Sequence, residues 1–152
     1  MTLSPSPSRR GAFFFYADAL AKTSMNPAYF ETVFLVDPKF VGHPPERFAV
    51  ITAHNPKDQL LDENENRRLL EKLEESLLDS DKSFFPVTGS SPDGTHKEAG
   101  FGISCTLREA LCIGMGFNQN AIYWIERENL QVIECSSGKA QDLGSWKDRL
   151  RT

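Results

Sequence analysis

The sequence lacks the motifs that would assign a reaction to it. It has no Walker loop, no GxGxxG after a strand, no GxSxG nucleophile elbow and no HExxH zinc motif. Cysteine is scarce, and Cys105, Cys112 and Cys135 form no CxxC and no metal-finger spacing. Their odd number and apolar neighbours indicate reduced, partly buried thiols in a reducing compartment. No common catalytic or metal-binding class is therefore marked by a motif.

Excess positive charge and long apolar runs are also missing. Lys and Arg total 17 against 21 Asp and Glu, which gives a net charge of −4. General binding to a nucleic-acid backbone needs clustered cations, so we do not expect it. No apolar run approaches the ~20 residues that cross a bilayer, and the run at residues 12–17 is too short for a signal-peptide core. We therefore expect a soluble, cytoplasmic protein with no membrane partner.

The composition is sufficient for one packed domain. The 152 residues are 39% apolar and 25% charged, which is typical of a globular protein. Residues 1–11 are rich in Ser and Pro and predict a disordered N-terminal segment. We predict a single α+β domain over residues 12–135. Residues 136–152 are predicted to be a polar C-terminal tail, in which Trp146 docks on the body of the domain.

Hydrophobic periodicity predicts a mixed β-sheet of about six strands with two main helices, in the order ββαββαββ. The strands are predicted over residues 32–36, 47–53, 83–87, 98–104, 121–126 and 130–135. The near-continuous apolar run at 47–53 favours a central position in the sheet, whereas Pro86 predicts that residues 83–87 lie at an edge. Short helices are predicted over residues 12–23 and from Pro27.

Two capping boxes predict where the main helices begin. Asp62 with Glu65 begins a helix that runs to about residue 78, and Thr106 with Glu109 begins one that ends near residue 116. The predicted buried stripes are Leu69, Leu70, Leu73 and Leu77 in the first helix, and Leu107, Leu111 and Met115 in the second.

The most informative segment runs from Phe48 to Pro56. An apolar, β-branched strand ends there in Thr52, His54 and Asn55, directly before a proline. A buried strand that ends this way delivers polar side chains to the edge of a sheet, where clefts usually lie. Thr52 and Asn55 are therefore candidate ligand-binding residues, although Asn55 fits equally an Asx turn.

Three further amides could belong to the same site. Asn66 lies on the apolar face of the first helix, and a buried amide there must be hydrogen-bonded. It either ties down the loop at residues 52–56 or contacts a ligand. Gln119 and Asn120 follow the second helix, where they either bridge its end to the next strand or line the cleft.

Glu98 is the candidate catalytic residue. A carboxylate that opens a strand after a loop is usually solvated, but one buried against His54 or Asn66 would be a candidate acid or base. The only metal-like set is His54, His96 and Glu98, and its spacing is too weak to predict a metal. We predict no metal site and no cofactor.

Several short segments, taken in order, resemble a known family. They are Ile51–Pro56, Glu65-Asn66 within a helix, Glu98 with Phe101, and Phe117–Ile122. Together they resemble the bacterial family called domain of unknown function 3293, over roughly residues 29–135. The family favours an aromatic residue at position 54, and often near 96, so the histidines here depart from it. The resemblance implies that four residues form one constellation: Asn55, Asn66, Glu98 and Gln119. It implies no activity, because the family is uncharacterised.

Amides dominate this set, and amides orient ligands but rarely move protons. The leading hypothesis is a non-catalytic or regulatory binding module for a small polar ligand or a protein partner. A second is a hydrolase or transferase in which Glu98 is the general base and the amides position the substrate. A third is a phage or defence-related protein-interaction factor that uses the acidic helix and the terminal extensions. The first two require one hollow shared by Asn55, Glu98 and Gln119.

Overall fold

A computed structural model describes residues 25–152. The predicted disordered segment at 1–11 and the predicted helix at 12–23 lie outside the described residues. The strands are β1 (Val33–Leu35), β2 (Arg47–Thr52), β3 (Phe84–Ser90), β4 (Lys97–Ile103), β5 (Ala121–Glu126), β6 (Asn129–Glu134), β7 (Ala140–Ser145) and β8 (Leu150–Arg151). The α-helices are α1 (Glu63–Leu78) and α2 (Leu107–Gly116). Short 3-10 helices lie at Pro27–Glu31, Pro38–Phe40, Pro56–Asp58 and Trp146–Arg149.

The strands form one mixed sheet in the order β7-β6-β5-β2-β4-β3-β1-β8. Neighbours are antiparallel, except that β1 and β8 are parallel. The predicted α+β class with two helices is confirmed, but the prediction of about six strands is wrong, because the described residues contain eight. The two additional strands lie within residues 136–152, which were predicted to be a polar tail. An edge strand with polar side chains, such as β7, shows little apolar alternation, and β8 has only two residues.

The sheet curls into a half-barrel. Strands β7 and β8 are its two edges, yet only the four residues Trp146–Arg149 join them along the chain. Each residue of this connection spans at most about 3.5 Å, and the two edges of the sheet must therefore lie close together. The Trp146 ring packs inside the curl, 4.8 Å from the Phe34 ring and 5.2 Å from the Phe48 ring, measured between centroids. The sheet thereby encloses its own apolar interior.

Each face of the sheet carries a separate core. Phe48 and Val50 of β2 point into the curl, while Ala49 and Ile51 point outward to the layer that contains both helices. All four are buried, so β2 is covered on both sides, and it lies between β5 and β4. Its predicted central position is therefore confirmed.

The predicted edge position of the strand that contains Pro86 is wrong. Strand β3 lies between β4 and β1, but β1 is short and pairs only with Thr88, Gly89 and Ser90. Pro86 pairs with Phe101 of β4 and extends past the end of β1. Because no β1 residue is paired with Pro86, its missing N–H breaks no ladder between β3 and β1.

Both capping boxes are present as predicted. Asp62 Oδ1 accepts from Glu65 N at 2.8 Å, and Thr106 Oγ1 accepts from Glu109 N at 3.1 Å. In α1 the predicted stripe faces the sheet, and Leu73 and Leu77 are fully buried there. Helix ends that depend on local hydrogen bonds are thus correctly placed.

The predicted stripe of α2 is wrong in part. Leu107 is 38% exposed and Met115 is 58% exposed, whereas Ala110 and Gly114 are buried against the sheet. A Cβ at position 114 would lie 2.7 Å from Ile122 Cγ2. The helix therefore packs through its small residues, which bring its backbone closer to the sheet than leucines would allow.

The three cysteines are free thiols, with Cys112 exposed and Cys135 buried. Burial raises the pKa of Cys105 to about 11, and it does the same for Cys135. Such thiols are protonated at neutral pH and are poor nucleophiles.

Within residues 25–152 no helix is both long and apolar enough to cross a membrane.

Candidate functional site

A hollow of about 270 Å³ opens at one end of the curled sheet. Inward-facing residues of the central strands line it, among them Val50, Val87 and Tyr123. The 3-10 helix Pro27–Glu31 borders it from the other side. Gly100 also lines it, where a Cβ would lie 2.4 Å from the Ile51 carbonyl oxygen. Only glycine fits where β4 and β2 approach so closely, so this position shapes the wall.

Three of the predicted site residues line the hollow, namely Thr52, Glu98 and Gln119. Asn55 and Asn66 are buried beside it, and they reach it through Glu98. Asn120 does not line it, and its backbone carbonyl accepts from Cys135 N at 2.9 Å. The candidate residues therefore lie in or beside one hollow, except for Asn120.

Asn55, Asn66 and Glu98 form one hydrogen-bond network. Asn66 Nδ2 donates to Asn55 Oδ1 at 3.0 Å, and Asn55 Nδ2 donates to Glu98 Oε2 at 2.9 Å. Asn66 Oδ1 also accepts from the Asn55 backbone N–H at 2.9 Å. Asn66 thus ties down the loop after β2, which is the structural alternative that the sequence left open.

The loop after β2 has an unusual backbone. Asn55, Lys57 and Asp58 have φ values of 48°, 56° and 60°, a region that residues other than glycine seldom adopt. Such a conformation costs most residues on the order of 1–3 kcal/mol and clusters at functional sites, although Asn and Asp tolerate it better than Lys57 does. The expected Asx turn is replaced by a longer link, since Asn55 Oδ1 accepts from Leu61 N at 3.0 Å. The loop brings Asp58 to the rim of the hollow.

The Glu98 carboxylate has two partners on one oxygen. Its Oε2 accepts from Asn55 and lies 3.0 Å from His96 Nε2, and the side chain is 25% exposed. His54 does not pair with it, although burial lowers the pKa of His54 against the opposing effect of the Glu98 charge. Within residues 25–152 no group of three or more His, Cys, Asp or Glu is arranged to hold a metal ion.

Gln119 joins the hollow to the loop. Its Nε2 donates to the His54 carbonyl at 3.1 Å and to the Phe117 carbonyl at 3.3 Å. Its Oε1 accepts no hydrogen bond from residues 25–152, although the residue is only 7% exposed. A buried acceptor without a donor is unusual in folded proteins.

Sequence reasoning missed the aromatic part of the site. Tyr123 OH lies 2.9 Å from the Tyr29 carbonyl and 2.8 Å from Thr32 Oγ1, and Tyr29 OH donates to Asp58 Oδ1 at 2.7 Å. Burial is the main cause that raises the pKa of both tyrosines. Alternation along β5 could have placed Tyr123 on the inner face. No local pattern connects it with Tyr29, which is 94 residues away in the chain.

The fold and site define a small α+β protein with a carboxylate-lined hollow at one end of a curled sheet. Residues 51–122 match the family described as "Protein of unknown function (DUF3293)", which confirms for this segment the family that the residues resembled. The matched segment contains Asn55, Asn66, Glu98 and Gln119 but ends before Tyr123. No curated protein and no solved structure matches the chain.

Proposed function

We propose that this protein is a non-catalytic or regulatory module that binds a small polar ligand in the hollow. The main support is the unused hydrogen-bonding capacity of its lining. Glu98 Oε1 and Gln119 Oε1 accept no hydrogen bond from residues 25–152, and both side chains line the hollow. Acceptors left unpaired in a concave site favour a ligand that supplies donors.

The loop after β2 adds a second line of support. Three residues with positive φ accumulate within four positions beside the hollow. The hydrogen bonds that Asn55 forms with Asn66 and with the Leu61 N–H offset part of the cost of holding this conformation. A strained backbone that is held by buried polar groups is typical of a preorganised binding site.

A fragment screen by NMR tests the proposal with the full chain. Gly89 lines the hollow, and a Cβ there would lie 3.5 Å from Thr32 Cγ2, which is ordinary contact. We expect Gly89→Leu to fold and to fill the hollow with its longer side chain. Polar fragments should shift the amide signals of Thr52, Gly100 and Gln119 in the wild type and not in this variant.

Gly116→Leu is the matched control, because an added Cβ at this exposed end of α2 has no atom within 4 Å. It should bind fragments like the wild type. The proposal is wrong if no fragment shifts the signals of the hollow, or if the shifts persist in Gly89→Leu.

A second candidate function, acid–base catalysis by Glu98, is favoured by one observation. The contact of 3.0 Å between Glu98 Oε2 and His96 Nε2 places a carboxylate and an imidazole together at the rim of the hollow. A hydrolase or transferase would lose turnover in Glu98→Gln while it still bound its substrate. The third hypothesis, a protein-interaction factor, stays a prediction.

A further inference from the structure

We infer that the ligand of this hollow is a small organic cation that carries an ammonium or guanidinium group. This inference rests on the proposed function, since it names the class of ligand for the same site. Three independent properties of the lining support it: its charge, its hydrogen-bond inventory and its aromatic surface.

The charge of the lining is negative. Three carboxylates contribute to it, those of Glu31, Asp58 and Glu98, and no Lys or Arg of residues 25–152 lines the hollow. His96 contacts Glu98 and balances at most one of these charges. Arg149 does not line the hollow, although its charge reaches Tyr123, and its Nη1 donates to the backbone carbonyls of residues 30 and 32 at 3.0 Å. A phosphate or carboxylate ligand would therefore meet an excess of like charge, with no Lys or Arg of the described lining to pair with.

Most hydrogen-bond donors of the lining are already engaged, and the exposed Asn26 Nδ2 is an exception, because it donates to no residue of 25–152. Every hydroxyl group that lines the hollow is within hydrogen-bonding distance of a protein acceptor: Tyr29, Thr32, Thr52, Ser90, Ser91 and Tyr123. The Gln119 amide nitrogen donates to two backbone carbonyls. Ligands that need donors from the protein, such as anions, therefore find few of them here.

The acceptors of the lining are in surplus. Glu98 Oε1, Gln119 Oε1 and the Glu31 carboxylate accept no hydrogen bond from residues 25–152. Gln119 is more than nine-tenths buried, so its unpaired oxygen incurs a desolvation cost that a ligand N–H would remove. Ammonium and guanidinium groups carry only donors, and they therefore complement this inventory.

The aromatic rings that line the hollow also suit an organic cation. Tyr29 and Tyr123 both line the hollow, with ring centroids 6.4 Å apart at an interplanar angle of 67°. Their pKa values are raised mainly by burial, so both rings stay neutral at physiological pH. The faces of neutral tyrosine rings attract organic cations. Apolar wall residues such as Val50 and Val87 would contact the carbon skeleton of the ligand.

Probes that share a skeleton and differ in charge test the inference. Butylamine, butanol and butyrate form one series, phenethylamine and phenylethanol a second, and agmatine supplies a guanidinium. Each is titrated into the full chain by NMR at neutral pH. We expect amines and agmatine to bind at least about tenfold more tightly than the alcohols, the equivalent of one charged hydrogen bond. Butyrate should not bind.

Three charge-removing variants locate the effect. Glu98→Gln should weaken amine binding by about tenfold. Glu31→Gln should weaken it by about two- to fivefold, because this carboxylate is exposed at the rim. It has no protein partner within residues 25–152, so it should fold normally. Glu74→Gln, on the exposed face of α1, is the control and should leave binding unchanged.

The outcomes separate this inference from the proposed function. Two results would overturn the inference that the ligand is a cation. One is that alcohols bind as tightly as amines, and the other is that amine binding is unchanged in both Glu98→Gln and Glu31→Gln. The hollow would remain a binding site if those shifts still disappeared in Gly89→Leu. If neither these probes nor the fragment screen shifted signals of the hollow, both conclusions would be wrong.

Discussion

Asn66 holds Asn55 by two reciprocal hydrogen bonds. Asn66 Oδ1 accepts from the backbone N–H of Asn55 at 2.9 Å, and Asn66 Nδ2 donates to Asn55 Oδ1 at 3.0 Å. Asn55 has left-handed backbone angles, with φ 48° and ψ 61°, directly before a proline that disfavours the αR region. The pair thus maintains a strained turn and leaves Asn55 Nδ2 directed at Glu98. One helical side chain thereby positions the carboxylate of the hollow.

Removing this amide should destabilise the fold. We expect Asn66→Ala to lower the free energy of unfolding by about 2–3 kcal/mol, because it leaves buried polar groups of Asn55 unpaired. Urea denaturation followed by circular dichroism measures the loss. Asn64→Ala, an exposed asparagine in the same helix, is the control and should cost less than about 0.5 kcal/mol. Equal effects of the two changes would contradict the positioning role of Asn66.

His54 should make stability depend on pH. Burial lowers its pKa in the folded state, so the unfolded chain binds the proton more readily. This contribution to stability is present above the unfolded pKa of about 6.5 and is lost as the pH falls through the folded value. His54→Phe should therefore lose less stability than the wild type between about pH 7.5 and about pH 5. His43→Gln, in the loop before β2, is the control, and its pH profile should follow the wild type.

The close packing of α2 against the sheet can be tested by adding a single methyl group. Gly114→Ala should cost about 1–3 kcal/mol, because its Cβ would lie 2.7 Å from Ile122 Cγ2 and 3.0 Å from Cys135 Sγ. Alanine regains about 1 kcal/mol of helix propensity, so the net loss of stability should be up to about 2 kcal/mol. At Gly116 an added Cβ has no atom within 4 Å, so Gly116→Ala should not destabilise. Thermal denaturation of both variants provides the comparison, and a stable Gly114→Ala would refute the close approach.

Trp146 should contribute as much to the free energy of unfolding as a buried residue of the central strands. We expect Trp146→Ala to cost about 3–5 kcal/mol, since its ring packs on Phe34 and Phe48 inside the curl. Lys147→Ala removes an exposed ion pair with Glu128 and should cost at most about 1 kcal/mol. Chemical denaturation distinguishes the two, and a mild effect of Trp146→Ala would restore the interpretation of residues 136–152 as a tail.

Some residues around the hollow could be predicted because their neighbours in the sequence already indicate that they must be paired or must turn the chain. Asn66 is a polar residue on an apolar helix face, and such a residue must find a partner. Asn55 stands between a buried strand and a proline, where the chain must turn. Tyr29 and Asp58 give no such signal. They enter the site only because the 3-10 helix Pro27–Glu31 lies over the strand ends, which no nearby residue dictates.

The sequence by itself determined the beginnings of α1 and α2 and the central place of β2, because capping bonds and apolar periodicity act over three to seven neighbouring residues. Tertiary structure decided that the sheet curls, that Trp146 lies inside it and that a hollow opens at its end. Those features depend on contacts such as Tyr123 with Tyr29 and Arg149 with Phe30, which join residues 94 and 119 positions apart. The energy of such contacts depends on the simultaneous placement of many side chains, so no short segment of the chain encodes it.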